Sequence, residues 1–259
     1  MELRATFDTV ADLYDAARPG YPEPLFDDIA MAGHLAAGDP VLEVGCGSGQ
    51  ATEGLIARGY RVSALDPGPS LIAAGQRRFA GRAEVDFITA GFEAWEPPAR
   101  AFKLVAAAQA WHWIAPPTAF AKARQALEPG GLLAVFGACP VRLPAGVLQG
   151  LQALYAQHAP ELAGPPPESW YLPQGPLPGL FASFGFAPLT HHAYRWTWRH
   201  TAQSFMAFLR SRSDFQVLPE GRREPLITAI GALVADHGEI LELDYETHLY
   251  MAPPLRDGT

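Results

Sequence analysis

Three glycines and one aspartate form the pattern in this 259-residue chain that could do chemistry. Gly45, Gly47 and Gly49 alternate within residues 41–50 (VLEVGCGSGQ), directly after a run of apolar residues. Glycines let the backbone approach a ligand closely and adopt turn dihedrals that other residues avoid. Asp66 ends the next apolar run, where a carboxylate can accept two hydrogen bonds from ribose hydroxyls. The pattern therefore predicts a site for a nucleoside.

The spacing of these glycines distinguishes two classes of nucleotide. A dinucleotide fingerprint, G-x-G-x-x-G, places a pyrophosphate at the amino end of a helix. Here the spacing is G-x-G-x-G, and Gln50 stands where the third glycine of that fingerprint would be. The spacing favours a nucleoside without pyrophosphate. An NAD-dependent oxidoreductase and a non-catalytic nucleoside-binding module remain as alternatives at this point.

Short apolar runs alternate with helical stretches around these residues. We expect buried strands at 41–44, 61–65, 85–88, 104–107 and 132–136, and helices at 50–58, 69–79 and 117–127. Strands and helices in this order form right-handed βαβ units, which predicts a doubly wound α/β sheet. Ligands of such sheets bind outside the carboxyl ends of the strands.

The second half of the chain is richer in proline and less regular in its apolar pattern. Residues 140–188 hold ten of the 25 prolines, which predicts a partly irregular insertion. After it we expect a strand at 189–198, helices at 201–212 and 220–237, and a final strand at 240–251.

Composition excludes several classes of protein. The net charge of -8 argues against a surface that binds the phosphate backbone of nucleic acids, so we expect no nucleic-acid partner. No apolar run of about 18 residues and no basic, apolar leader occurs, which favours a cytoplasmic protein that does not span a membrane. Cys46 and Cys139 follow strands that we expect to be too far apart for a disulfide, so both should be free. His191 and His192 point to opposite faces of a strand, and we expect no metal site.

The sequence resembles a known family. The segment EVGCGSG at 43–49, Asp66, and LEPGG at 127–131 are similar to class I S-adenosylmethionine-dependent methyltransferases. The beginning of the chain and the segment AWHW at 110–113 resemble the trans-aconitate methyltransferase-like subgroup. The resemblance implies one domain over 1–259 with a Rossmann-like sheet of seven mostly parallel strands. Its strand order would be 3-2-1-4-5-7-6, with strand 7 antiparallel and helices on both faces.

The resemblance also implies S-adenosyl-L-methionine as cofactor and assigns residues to it. The glycine loop with Cys46 would lie against the methionine part, Asp66 and Pro67 at the ribose, and Phe92 and Glu93 beside the adenine. Glu43 would orient the loop or the ammonium group of the cofactor. The other contacts that we expect are Tyr14, Arg18, Gln109, Ala110 and Trp111.

His112 is the candidate catalytic residue. It follows the fourth strand, and its ordinary pKa near 6.5 suits a base that takes a proton from a substrate hydroxyl. Alternatively, the aromatic triplet around it packs against the cofactor, and a carboxylate nucleophile would need no base. The adenine-N6 enzymes of the family carry two prolines after this strand, which this chain lacks. We therefore predict in-line methyl transfer to a small-molecule acceptor, with O-methylation favoured.

Two further segments are expected near the acceptor. Residues 1–36 would form a helical lid, and the proline-rich insertion at 140–188 would cover the acceptor site. Trp170 and Tyr171 either cap a substrate or anchor a loop. For Arg212 and its neighbours 211 and 213, we expect a solvated helix end rather than a pocket wall.

Overall fold

The computed structural model describes residues 18–255. Its helices and strands follow one another along the chain as α1 (Glu23–Ala32), β1 (Pro40–Val44), α2 (Gln50–Ala57), β2 (Arg61–Asp66), α3 (Pro69–Arg78), β3 (Val85–Thr89), β4 (Phe102–Ala108), α4 (Pro116–Ala126) and β5 (Leu127–Arg142). They continue as α5 (Ala145–His158), α6 (Leu177–Ser183), β6 (Thr190–His200), α7 (Ala202–Arg210), α8 (Ser213–Gln216), α9 (Glu220–His237) and β7 (Leu241–Ala252). Short 3-10 turns lie at Trp111–Trp113, Pro160–Leu162 and Pro167–Tyr171.

Seven strands form one sheet in the order β3-β2-β1-β4-β5-β7-β6. The first five strands are mutually parallel, and β7 runs antiparallel to both of its neighbours. The predicted fold class and strand order are confirmed. Because β1 to β5 are parallel, the loops that follow them meet at one edge of the sheet.

The central strands are apolar because helices cover both of their faces. Leu42, Val44 and Val105 pack on one side of the sheet, and Val41 and Leu104 pack on the other. Such strands appear in a sequence as continuous apolar runs rather than as alternating patterns. Prolines at the first positions of α3 and α4 suit a helix start, where the missing N–H would have no intrahelical partner.

A third apolar cluster joins α5, α7 and α9 to β7. Helix α5 lies inside the proline-rich segment, where the sequence pattern indicated irregular chain. Its residues Val147 and Leu151 are buried in this cluster, and prolines 144 and 160 stand just outside the two ends of the helix. The prolines therefore delimit a helix here instead of breaking it.

Two further features concern the whole described chain. Cys46 and Cys139 are buried and free, as predicted. Among residues 18–255, no helix is both long enough and apolar enough to cross a membrane.

Candidate active site

The glycine loop turns the chain from the end of β1 into the start of α2. Gly45 has φ +71°, and a Cβ atom added there would lie 2.3 Å from the Cβ of Ala110. Only glycine fits such a position without displacing its neighbour. The loop is therefore pressed against the residues that follow β4, at the carboxyl edge of the sheet.

Asp66 ends β2 and fixes the same loop. Its Oδ2 accepts a hydrogen bond of 3.0 Å from the backbone N–H of Gly47, and its Oδ1 accepts one of 2.8 Å from Gly68. These two bonds hold the carboxylate in place at the carboxyl edge of the sheet.

A cavity of about 80 Å³ opens beside Asp66. Leu71 and Ile114 contribute apolar walls, and Glu93 stands at its side with a polar group. This mixture of apolar surface and a few polar groups suits a nucleoside. Of the predicted cofactor contacts, those that line this cavity are Gly45, Gly47, Asp66, Pro67, Phe92, Glu93, Gln109 and Ala110.

Glu43 is a buried acid next to the loop, with 1% of its surface exposed. Its Oε2 accepts a 2.6 Å hydrogen bond from the hydroxyl of Thr52, while its Oε1 has no partner among the described residues. Burial, reinforced by the nearby charge of Asp66, raises the pKa of Glu43 to about 8. A buried oxygen without a partner fits a cationic group such as an ammonium.

A second cavity, of about 50 Å³, contains Glu43 and lies on the other side of the loop. Arg18, Cys46 and Gln50 also line it. It shares Gly45, Ala108 and Gln109 with the nucleoside cavity, so the two meet at the end of β4. These adjoining cavities fit the two halves of S-adenosyl-L-methionine, with Asp66 on the nucleoside side and Glu43 on the amino-acid side.

Gln109 stands at this junction in an unusual backbone conformation. Its φ is +54°, although it is not a glycine, and its buried Oε1 has no hydrogen-bond partner among residues 18–255. Non-glycine residues with positive φ concentrate at functional sites, where the surrounding structure holds them in place. The site thus has a polar side chain at the point where the two cavities join.

His112 lies in the 3-10 turn after β4 and lines a third cavity with Arg18, Gln109 and Glu168. Its Nδ1 is 2.9 Å from the hydroxyl oxygen of Tyr171, and its Nε2 has no partner among the described residues. Burial lowers the pKa of His112 to about 4, so the imidazole is neutral at pH 7. A neutral imidazole has one nitrogen that can accept a proton.

Tyr171 anchors a loop rather than capping the cavity. Its side chain is fully buried, and its backbone carbonyl accepts a 3.0 Å hydrogen bond from the hydroxyl of Tyr250. This arrangement ties the proline-rich segment to both His112 and β7.

Arg212, Glu168 and Asp214 form a partly buried group that we call the arginine cluster. Nη1 of Arg212 donates to Glu168 at 3.0 Å, and its Nη2 donates to Asp214 at 2.7 Å. Only 12% of the Arg212 side chain is exposed, so the expectation of a solvated helix end is wrong. Although burial opposes the charge, Glu168 and Asp214 raise the pKa of Arg212 well above its usual range.

Only half of the cluster is visible in the local sequence, where Asp214 follows Arg212 by two residues. Glu168 precedes Arg212 by 44 residues and reaches it from the proline-rich segment. An arginine with one nearby acid in a serine-rich turn is expected to be solvated, and only the fold brings the second carboxylate, Glu168, to it.

The remaining predicted contacts fall into three groups. Arg18 and Cys46 line the second cavity. Trp111 is 1% exposed, packs against Phe92 and Phe120 in the core, and lines none of the three cavities, whereas Trp113 lines the nucleoside cavity. Gly49 precedes α2 without lining a cavity. Tyr14 lies outside the described residues.

The two adjacent histidines at the start of β6 each have a partner on another element. Nε2 of His191 lies 3.1 Å from Nδ1 of His248, and Nδ1 of His192 lies 3.1 Å from Asp28. In the described part of the chain, no group of three or more His, Cys, Asp or Glu residues could hold a metal ion.

Comparison with known proteins supports the same chemistry. Residues 41–131 match the family model of a methyltransferase domain. An uncharacterized methyltransferase of Mycobacterium tuberculosis is 26% identical over 237 residues, which cover 91% of this chain and 88% of the relative. A trans-aconitate 2-methyltransferase of Rhizobium meliloti is 31% identical over 144 residues, 54% of each chain.

A solved structure shares the fold. A candidate type II methyltransferase from Anaeromyxobacter dehalogenans superposes with a TM-score of 0.62 and 24% identity, over 92% of this chain and 98% of that one. These matches favour methyl transfer over NAD-dependent oxidation. With the methyltransferase domain at 41–131 and the methyltransferase relatives, they show that the chain is an S-adenosyl-L-methionine-dependent methyltransferase.

Proposed function

We propose that this enzyme methylates an oxygen atom of a small-molecule acceptor. The cofactor supplies a methyl group bound to a sulfonium, and alignment of the acceptor with that group provides most of the catalysis. The observation that carries the proposal is the third cavity, where neutral His112 lies beside Gln109 at the junction of the cofactor cavities.

In this proposal His112 is the base. We assign the proton of the neutral ring to Nδ1, which then donates to the Tyr171 hydroxyl oxygen 2.9 Å away and leaves the Nε2 lone pair to accept the proton of an acceptor hydroxyl. The new bond joins the methyl carbon to the acceptor oxygen, the carbon–sulfur bond breaks, and His112 passes the proton on to water. Tyr171 is then a positioning residue that fixes the imidazole.

Two segments of the chain are proposed to enclose the reaction. Arg18 and Tyr21, from the proposed lid at 1–36, line the second cavity, and Pro140 and Glu168 line it from the proline-rich segment at 140–188. Enclosure of this kind excludes water and orders the acceptor.

We also propose kinship with the trans-aconitate methyltransferase-like subgroup. The partial match to a trans-aconitate 2-methyltransferase and the segment at 110–113 support it. Kinship in this sense concerns the lid and the aromatic turn and does not extend to the acceptor.

The first experiment is calorimetric titration with S-adenosylmethionine and S-adenosylhomocysteine. We expect saturable binding of both, and the absence of heat and of any thermal shift at millimolar ligand would refute cofactor binding. Replacing Asp66 with alanine should weaken binding by about 10- to 150-fold, because hydrogen bonds to a charged acceptor are worth about 1.5 to 3 kcal/mol. An unchanged dissociation constant would refute the ribose assignment.

The second experiment tests His112. We expect His112→Ala to lower turnover of labelled S-adenosylmethionine with a phenol panel by about 100-fold or more, while the affinity for S-adenosylhomocysteine stays within about twofold. His112→Gln should not restore turnover if the residue is a base, and it should restore it if the residue only fills space. Binding without turnover on any acceptor of the panel would favour the non-catalytic module.

A further inference from the structure

A large apolar cavity lies beside the arginine cluster, between helix α5, the loop that follows α5 in the proline-rich segment, and helix α7. Its volume of about 480 Å³ exceeds those of the nucleoside cavity and the second cavity. Its walls are aliphatic and aromatic, with Leu151, Phe205, Phe215 and Leu243 among the buried side chains that face it. A cavity of this size and lining suits the apolar body of a small molecule.

This apolar cavity adjoins the site. It shares Pro140, Phe208, Arg212 and Tyr245 with the second cavity, which holds Glu43. It also shares Arg212 with the cavity of His112. A molecule that fills it can therefore present one end to the methyl-transfer site.

The charged residues that line the second, third and apolar cavities do not suit a substrate with several negative charges. Across the second, third and apolar cavities, the described lining contains two arginines, Arg18 and Arg212, against four acids, Glu43, Glu161, Glu168 and Asp214. Arg212 already donates to two carboxylates within the arginine cluster. A substrate with several carboxylates would need a surplus of cations, because like charges in a poorly solvated site repel.

We infer that the methyl acceptor is a predominantly apolar molecule with one polar end. Its apolar body occupies the 480 Å³ cavity, and its nucleophilic oxygen lies at the junction beside the arginine cluster. The inference rests on the proposed function and sets this enzyme apart from methyltransferases of polycarboxylates.

A homologous series of phenols measures the apolar contribution directly. We would titrate para-ethylphenol, para-butylphenol and para-hexylphenol into the protein saturated with S-adenosylhomocysteine, with trans-aconitate as the polycarboxylate probe. The dissociation constant should fall by about fourfold per added methylene, the factor that corresponds to ~0.8 kcal/mol of buried CH₂. Trans-aconitate should bind more weakly than para-hexylphenol.

A pair of variants locates the binding. Leu148 lies on the rim of the apolar cavity and is 42% exposed, so Leu148→Glu places a carboxylate there without disturbing the core. We expect para-hexylphenol to bind about tenfold more weakly, because the apolar chain would then lie against a charged group. Leu189 is 36% exposed and lines none of these cavities, so Leu189→Glu is the matched control and should change the affinity by less than about twofold.

The outcomes separate this inference from the proposed function. Affinity that does not depend on chain length, tighter binding of trans-aconitate, or equal effects of the two leucine variants would overturn the apolar acceptor while cofactor binding stands. Failure of the wild-type protein to bind S-adenosylhomocysteine would instead count against the proposed function.

Discussion

Replacing Glu43 with glutamine should stabilise the protein and lower its affinity for the cofactor. The folded protein raises the pKa of this carboxyl from 4.5 to about 8, chiefly through burial. Unfolding lets the group ionise in water. At neutral pH this ionisation stabilises the unfolded state relative to the folded state, in which the carboxyl stays protonated. Glutamine keeps the shape of the side chain and can still accept the hydrogen bond of Thr52, but it does not ionise.

The size and sign of the effect follow from the two pKa values. Because the folded pKa is the higher one, the stability contributed by Glu43 is fully present below pH 4.5 and is lost as the pH rises through about 8. The loss grows by about 1.36 kcal/mol per pH unit, which gives about 3 kcal/mol at pH 7. Glu43→Gln should therefore raise the free energy of unfolding by about that amount at pH 7 and hardly at all at pH 4.5.

Urea denaturation followed by tryptophan fluorescence at both pH values measures this difference. Glu53→Gln, on the neighbouring helix α2, is the matched control, because Glu53 is exposed and forms a surface ion pair with Arg78. Its effect should stay below about 1 kcal/mol. An equal gain from Glu43→Gln at both pH values, or no gain at either, would refute the raised pKa.

The same variant tests the role of Glu43 in binding. If its unpartnered Oε1 receives the ammonium group of the cofactor, Glu43→Gln should weaken S-adenosylhomocysteine binding by about 10- to 150-fold. The affinity of the wild-type protein should rise between about pH 6 and pH 8, because binding then requires less deprotonation of the buried acid. Unchanged affinity in the variant would exclude that contact.

Two further substitutions test the packing of the site. Gly45→Ala should cost about 2 to 4 kcal/mol of stability, from left-handed backbone and the 2.3 Å approach to Ala110, whereas Gly81→Ala, with φ +81° and open space around it, should cost only about 1 to 2 kcal/mol. Equal losses in thermal unfolding would show that the close approach is unimportant. Arg212→Met should destabilise the protein by about 3 to 5 kcal/mol, because it leaves the two acids of the arginine cluster buried without a cation. A loss below about 1 kcal/mol in urea titration would show that water reaches these acids freely.

The central part of the fold was accessible from sequence because its signals are local. Apolar runs of four or five residues, glycines after β1 and an aspartate after β2 each report on their immediate surroundings. Parallel strands place their carboxyl ends at one edge, so those local signals also placed Asp66 beside the glycine loop. The proline-rich segment misled the same reasoning, because proline flanks a helix as readily as it interrupts one, and α5 forms between two of them.

The sequence by itself determined the donor side of this enzyme, since Gly45, Glu43 and Asp66 lie within 24 residues and their spacing carries the chemistry. Only the tertiary structure decided the acceptor side. Arg212 meets Glu168 across 44 residues, His112 meets Tyr171 across 59, and the apolar cavity is enclosed by elements scattered from β5 to β7. Burial and charge pairing between such distant segments depend on how the whole chain packs, and no local pattern records them.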